Sequence, residues 1–312
     1  MVKFYVMMGH YSRLVLVAAL VCAASGVRGD TPRCVVFLHQ EKSGGHSMKM
    51  LLTKALRPTH RHVLCNSQEW AKNRCADTTN VERGERVLIE SAFVLGAPGL
   101  LAGNCTWVTM AREPLARVVS AFFYCTYQSP FDQLCVRNST HTPKRRNHTQ
   151  ETLTDAAALD ARFSEFRAFA DAWREKLRLQ LRMPAFANDT LFKRVHMQLK
   201  GSKERPPIWQ LAKNALAGDA EPVGATIAAA ERRFAVVGLV ERFRESVERM
   251  GAALELNLKS NVHATHGSET YADDELRLLA RARGDAAIAD TVAVDAVIYD
   301  AFAAAFGLHR GS

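Results

Sequence analysis

Six consecutive residues, Lys42-Ser43-Gly44-Gly45-His46-Ser47, set a cation, two hydroxyls and two glycines just ahead of a helical pattern. Backbone N–H groups in a glycine turn can cradle a phosphate, and the N-terminus of a helix adds partial positive charge. Lys42 would add a full charge, Ser43 and Ser47 hydroxyl donors, and His46 an imidazole N–H. The order is not that of a Walker A loop, in which the lysine follows the glycines. The plain alternative is an ordinary strand-to-helix turn that happens to carry a lysine. A second group is Arg112 with Ser120 eight residues on, about two helical turns away, and Arg117 between them. A planar guanidinium fork suits phosphate, although an arginine at a strand end also commonly makes a surface ion pair. The third is Glu90, a charge inside the apolar run Val87-Leu-Ile-Glu-Ser-Ala-Phe-Val-Leu95. A charge buried there is costly unless it has a partner or a role.

These residues need elements to hold them. Residues 34–39 read as a buried parallel strand, and Met48, Leu51, Leu52 and Ala55 recur at helical spacing after the glycines. Residues 87–95 and 105–110 read as two more strands, and Pro114 suits the first turn of the helix that follows. That helix would carry Leu115, Val118, Val119, Phe122 and Phe123 on its apolar side. Residues 128–150 read as an exposed polar loop and 151–183 as a long helix, with a break at Gly201–Pro207 in a second helical stretch. Residues 234–239 make a fourth strand, followed by a helix from about 241 to 256, a polar loop over 257–273, and terminal helices near 274–283 and 286–306. Strands alternating with helices predict an α/β domain built on a mainly parallel sheet, with long helices inserted in its middle.

The 312-residue chain is 48% hydrophobic and 23% charged, which suits a folded domain and excludes a mainly disordered one. A net charge of +9 suits an anionic partner. No apolar run approaches the ~18 residues of a typical membrane span, but Leu14–Ala24 is apolar, follows Lys3 and Arg13, and precedes small residues at 24–26. This predicts a secretory signal over residues 1–26, either cleaved or kept as a membrane anchor, ahead of a lumenal domain over 31–312. Sequons at Asn104, Asn138, Asn147 and Asn188 agree with a lumenal glycoprotein. Leaving out Cys22 in the apolar run, six cysteines remain. Cys65 with Cys75 and Cys125 with Cys135 look like local staples. Cys34 and Cys105 each open a strand-like run and could pair, among the roughly 15 connectivities that six cysteines allow. A zinc reading of His60, His62, Cys65 and Cys75 fits no standard spacing, and no metal is expected.

Taken together, the segments resemble the Golgi carbohydrate sulfotransferases, in particular the heparan sulfate 2-O/6-O and uronyl branch. Phe37-Leu-His-Gln-Glu-Lys-Ser-Gly-Gly-His-Ser47 is similar to that family's loop for the 5′-phosphosulfate of PAPS (3′-phosphoadenosine 5′-phosphosulfate). Val108-Thr-Met-Ala-Arg-Glu-Pro-Leu-Ala-Arg-Val-Val-Ser-Ala-Phe-Phe-Tyr124 resembles its 3′-phosphate element, in which an arginine and a serine eight apart hold that phosphate. Phe234-Ala-Val-Val-Gly-Leu-Val-Glu-Arg-Phe-Arg-Glu-Ser246 and Val294-Asp-Ala-Val-Ile-Tyr-Asp-Ala-Phe302 resemble a later strand-to-helix element and the last helix. The likeness runs in order from about 34 to 307, and the stretch 128–230 matches little. It implies a P-loop-like three-layer α/β fold, PAPS as co-substrate without metal, and sulfuryl transfer to a glycan hydroxyl, with an acidic polysaccharide as acceptor and the Golgi lumen as location.

The resemblance assigns Lys42, Ser43, Gly44, Gly45, His46 and Ser47 to the phosphosulfate and Arg112 and Ser120 to the 3′-phosphate. Lys42 would also stabilise charge on the departing nucleotide. His46 stands where relatives usually carry Thr or Ser, and Glu113 where Asp is commoner. The strand before the 3′-phosphate element has no histidine; Glu90 is the expected general base there, with His46, His60 and His62 as alternatives. Lys259, Asn261 and His263 fall where relatives close over the nucleotide, and Lys144-Arg145-Arg146 could meet an acidic glycan or simply be solvated. Two other readings stand beside the glycan enzyme: a protein-tyrosine sulfotransferase, and a non-catalytic protein that binds PAP or glycan. A lumenal kinase is disfavoured by the missing Walker A loop. Nucleic acid is not an expected partner.

Overall fold

A computed structural model describes residues 31–40, 42–65, 85–91, 105–128, 155–181, 223–258 and 272–306. From Pro32 onward the chain forms one compact unit. Its centre is a five-stranded sheet of β1 (Cys34–Leu38), β2 (Arg61–Cys65), β3 (Val87–Ser91), β4 (Thr106–Ala111) and β5 (Phe234–Leu239). The order is β2-β3-β1-β4-β5, and every neighbouring pair is parallel. The predicted parallel α/β sheet is therefore present. It has five strands rather than four, because Arg61–Cys65 adds an edge strand.

β1 is buried along its whole length, as expected of a strand with neighbours on both edges and helices over its faces. Val35 and Phe37 point to one face with Leu88, Val108, Met110 and Val236. Helix α1 (Gly45–Leu56) closes on that face through Met48, Leu51, Leu52 and Leu56. A second core is formed by α2 (Pro114–Phe123), α3 (Ala156–Leu181), α6 (Ala272–Arg283) and α7 (Ala286–Ala305), where Phe122, Phe123, Phe166, Phe169 and Trp173 pack together. Helix α4 (Val223–Arg233) leads directly into β5, and α5 (Phe243–Leu254) follows it after a 3₁₀ turn at Val240–Arg242 and joins α1 on the first face. Helices around a parallel sheet make this a three-layer α/β domain.

α2 begins where Pro114 predicts, and every one of its residues is buried, so the expected apolar stripe has become a fully enclosed helix. Glu113 caps it by accepting from the N–H groups of Leu115 and Ala116 at 3.2 and 2.8 Å. Cys34 and Cys105 form the disulfide their positions suggested. Cys125 is disulfide-bonded too; its expected partner Cys135 lies outside the described residues, as does Cys75. Also outside them are the apolar run 14–24, the four sequon asparagines, the loop 129–150, the break at Gly201–Pro207, and Lys259, Asn261 and His263. Among the described residues, no helix is long and apolar enough to cross a membrane.

Candidate functional site

The chain crosses the sheet from β3 to β4 over β1, so β1 and β4 are neighbours whose following connections diverge. In open parallel sheets, the crevice beyond the strand ends at such a point is where ligands bind. The two candidate phosphate segments leave these two strands. Leu38 and Thr109 are register partners, the Lys42–Ser47 loop begins just past Leu38, and Arg112 follows Ala111.

After β1 the backbone turns through two left-handed residues, Lys42 (φ 59°) and Gly44 (φ 66°). Only glycine takes this conformation without steric cost. A Cβ on Gly44 would also come within 3.1 Å of Val240. Gly44 caps α1 with no side-chain hydrogen bond to the opening N–H groups of the helix. Within this turn the side-chain amide of Gln40 and the hydroxyl of Ser43 are fully buried, yet find no hydrogen-bond partner among the described residues. Leaving such groups unmet typically costs about 1–3 kcal/mol each, so the turn has polar capacity beyond what the described residues use. The Lys42 ammonium lies 4.3 Å from the centre of the Tyr124 ring, just beyond α2. His46 is exposed and Ser47 buried in the first turn of α1.

Arg112 stands at the end of β4 with its guanidinium on Glu275 of α6 at 2.8 Å. Ser120 is buried further along α2. The four segments of the sequence resemblance also meet. Glu241 accepts from the Glu113 N–H at 2.9 Å and from the Tyr299 hydroxyl at 2.7 Å, and Gly44 packs near Val240 and Phe243.

Glu90 lies at the same edge, in register with Phe37 of β1. It follows Leu88 by two residues and so shares the face covered by α1. Its carboxylate meets His39 Nδ1 at 3.1 Å, Lys49 Nζ of α1 at 3.0 Å and His62 Nε2 of β2 at 3.3 Å. Burial by itself would raise its pKa. Hydrogen bonds from His39, His62 and Lys49, with the charge of Lys49, outweigh burial and bring it down to about 2. A carboxylate so held is a weak proton acceptor and a good anchor for its neighbours. His60 is committed elsewhere, to Thr59 Oγ1 and to the Pro32 carbonyl, each at 2.8 Å. Among the described residues no cluster of three or more His, Cys, Asp or Glu is arranged to hold a metal.

Sequence reasoning singled out Glu90, because a charge interrupts an apolar run, but it gave no role to His39, Lys49, Gln40 or Glu275. His39 sits just past the apolar residues of β1, Lys49 on the half-buried side of α1, and Glu275 is 163 positions from Arg112. The one available signal was His39 within the segment that resembles the phosphosulfate loop. No protein-family model matches the chain, and no curated protein matches it.

Proposed function

We propose that the protein is a PAPS-dependent sulfotransferase of P-loop-like fold that moves a sulfuryl group to a glycan hydroxyl by in-line displacement. One observation carries the reading: two phosphate-type segments leave adjacent strands at the crossover of a parallel sheet, one of them with no side-chain cap on its helix and with buried Gln40 and Ser43 side chains that have no partner among the described residues. The turn residues Lys42–Ser47 would take the 5′-phosphosulfate, with Lys42 offsetting charge on the leaving nucleotide. Arg112 and Ser120 would take the 3′-phosphate and fix the donor in line. The meeting of all four resembling segments around Glu241 supports the same reading. A disulfide across the central strands suits the oxidising lumen of the secretory pathway, the Golgi on this proposal.

Titrating PAP (3′-phosphoadenosine 5′-phosphate) calorimetrically into the full chain, beside Arg112→Ala, tests it. Binding by the wild type that the variant loses is expected. A folded wild type that takes up no PAP would remove the reading.

A further inference from the structure

We propose that His39 accepts the proton of the attacking hydroxyl and that Glu90 is the positioning residue that holds it. The assignment rests on the sulfotransferase reading and divides the expected base function between two residues.

Place comes first. His39 is the first residue past β1, at the carboxyl edge of the sheet where the crevice opens. Its ring stacks on Phe37 with centroids 5.8 Å apart and lies against the first turn of α1. A Cβ at Gly45 would fall 1.9 Å from His39 Cδ2 and 2.3 Å from Nε2. Gly45 therefore leaves the space that the imidazole occupies, and the ring borders the turn assigned to the phosphosulfate.

Protonation comes next. An ionised carboxylate only accepts hydrogen bonds, so His39 Nδ1 is the donor in the contact with Glu90 Oε1, and Nε2 is the ring nitrogen left to receive a proton. The His39 side chain is 25% exposed and that of Glu90 4%, so of the two groups the imidazole is the one open to a substrate. Glu90 is also bound by Lys49 and His62. His62 is the other imidazole of the cluster, but its Nε2 is engaged by Glu90, and it lies back along the sheet in register with Leu88. Among the described residues the groups facing His39 are thus Glu90 from β3, with Lys49 of α1 and His62 of β2 behind it on the same carboxylate. Imidazole is the side chain suited to exchange a proton near neutral pH.

In the step itself the acceptor oxygen forms a bond to the sulfur of PAPS. The bond from sulfur to the bridging oxygen breaks, and its electron pair stays on the 5′-phosphate of PAP. The hydroxyl proton passes to His39 Nε2 and later to solvent, which returns the ring to its starting state.

The test uses the full chain with PAPS and three acceptors: desulfated heparin, desulfated chondroitin and a tyrosine peptide. kcat and KM are measured against pH, and PAP binding by calorimetry. His39→Asn keeps an N–H donor toward Glu90 but has no basic nitrogen. Its kcat is expected to fall about 10²–10⁴-fold, with the acidic limb of the pH profile lost and PAP affinity within about threefold of wild type. Glu90→Gln is expected to lower kcat less and to displace that limb, and Glu90→Asp to recover part of the loss. Gly45→Ala, which drives the ring from its seat, is expected to lower kcat as His39→Asn does. A His39→Asn protein that binds PAP and keeps both kcat and the acidic limb overturns the assignment. So does loss of that limb in His62→Asn but not in His39→Asn. No PAP binding by wild type, or transfer to none of the acceptors, sinks the sulfotransferase reading first and this assignment with it.

Discussion

Replacing Glu90 by glutamine removes a buried negative charge from between Lys49, His39 and His62 while nearly preserving its shape. The consequence for stability can be sized from the carboxyl group itself. Its pKa falls to about 2 in the folded protein, against roughly 4.3 for a glutamate in an unfolded chain. A gap of about two units corresponds to about 3 kcal/mol at neutral pH. Breaking a buried ion pair by removing one partner costs on the order of 3–5 kcal/mol, which agrees. The sign follows from the direction of the shift. A lowered folded-state pKa means the stabilisation is whole above about pH 4.3 and drains away as pH falls toward 2. Urea unfolding of the full chain between pH 7 and 2.5, followed by tryptophan fluorescence, should show Glu90→Gln about 3 kcal/mol less stable at pH 7. The two proteins should converge toward the acid end, with the variant lacking the corresponding part of the wild-type slope. A difference under about 0.5 kcal/mol at pH 7, the size of an ordinary surface change, or one that stays constant with pH, would refute the view that this carboxylate is ionised and held by its neighbours.

Two further outcomes are expected. Glu275→Gln frees the Arg112 guanidinium from its carboxylate, so PAP should bind about 3–10-fold more tightly at low salt, a gain of the size of one modest ion pair; unchanged or weaker binding in calorimetry would mean that Glu275 orients Arg112 instead of competing for it. Cys105→Ser opens a loop spanning 71 residues, for which chain entropy predicts a loss of about 4 kcal/mol, read as a lower urea midpoint than that of the oxidised wild type; an unchanged midpoint would show that the disulfide constrains nothing.

The central strands were legible because a strand buried on both faces is apolar throughout, as β1, β3, β4 and β5 largely are. β2 was not, because at the edge of the sheet only Val63 of Arg61, His62, Val63 and Leu64 is buried. Its residues therefore show neither a run nor a clear alternation. The candidate phosphate turn was visible from the glycines and lysine, since the residue types needed for a left-handed turn are few. The carboxylate cluster was half visible. Glu90 stood out from its apolar neighbours, but His39, Lys49 and His62 come from three separate elements with no common spacing. Only the sheet order that places β3 between β1 and β2 brings them to one carboxylate. The pairing of Cys34 with Cys105 was within reach because each stands one residue before a register pair of adjacent strands, Val35 and Thr106.

That pairing also closes a long stretch of chain. Cys34 emerges from the ribosome long before Cys105, and α1, β2 and β3 must all be made in between. In the folded protein the two sulfurs meet across β1 and β4 lying side by side, where a slip of one residue would turn every side chain of a strand to the opposite face. The bond thus ties the two central strands together where they start. Those are the strands whose far ends lead to the Lys42 turn and Arg112. A covalent tie at one end of the strand pair therefore helps to hold the spacing of the two candidate phosphate arms at the other.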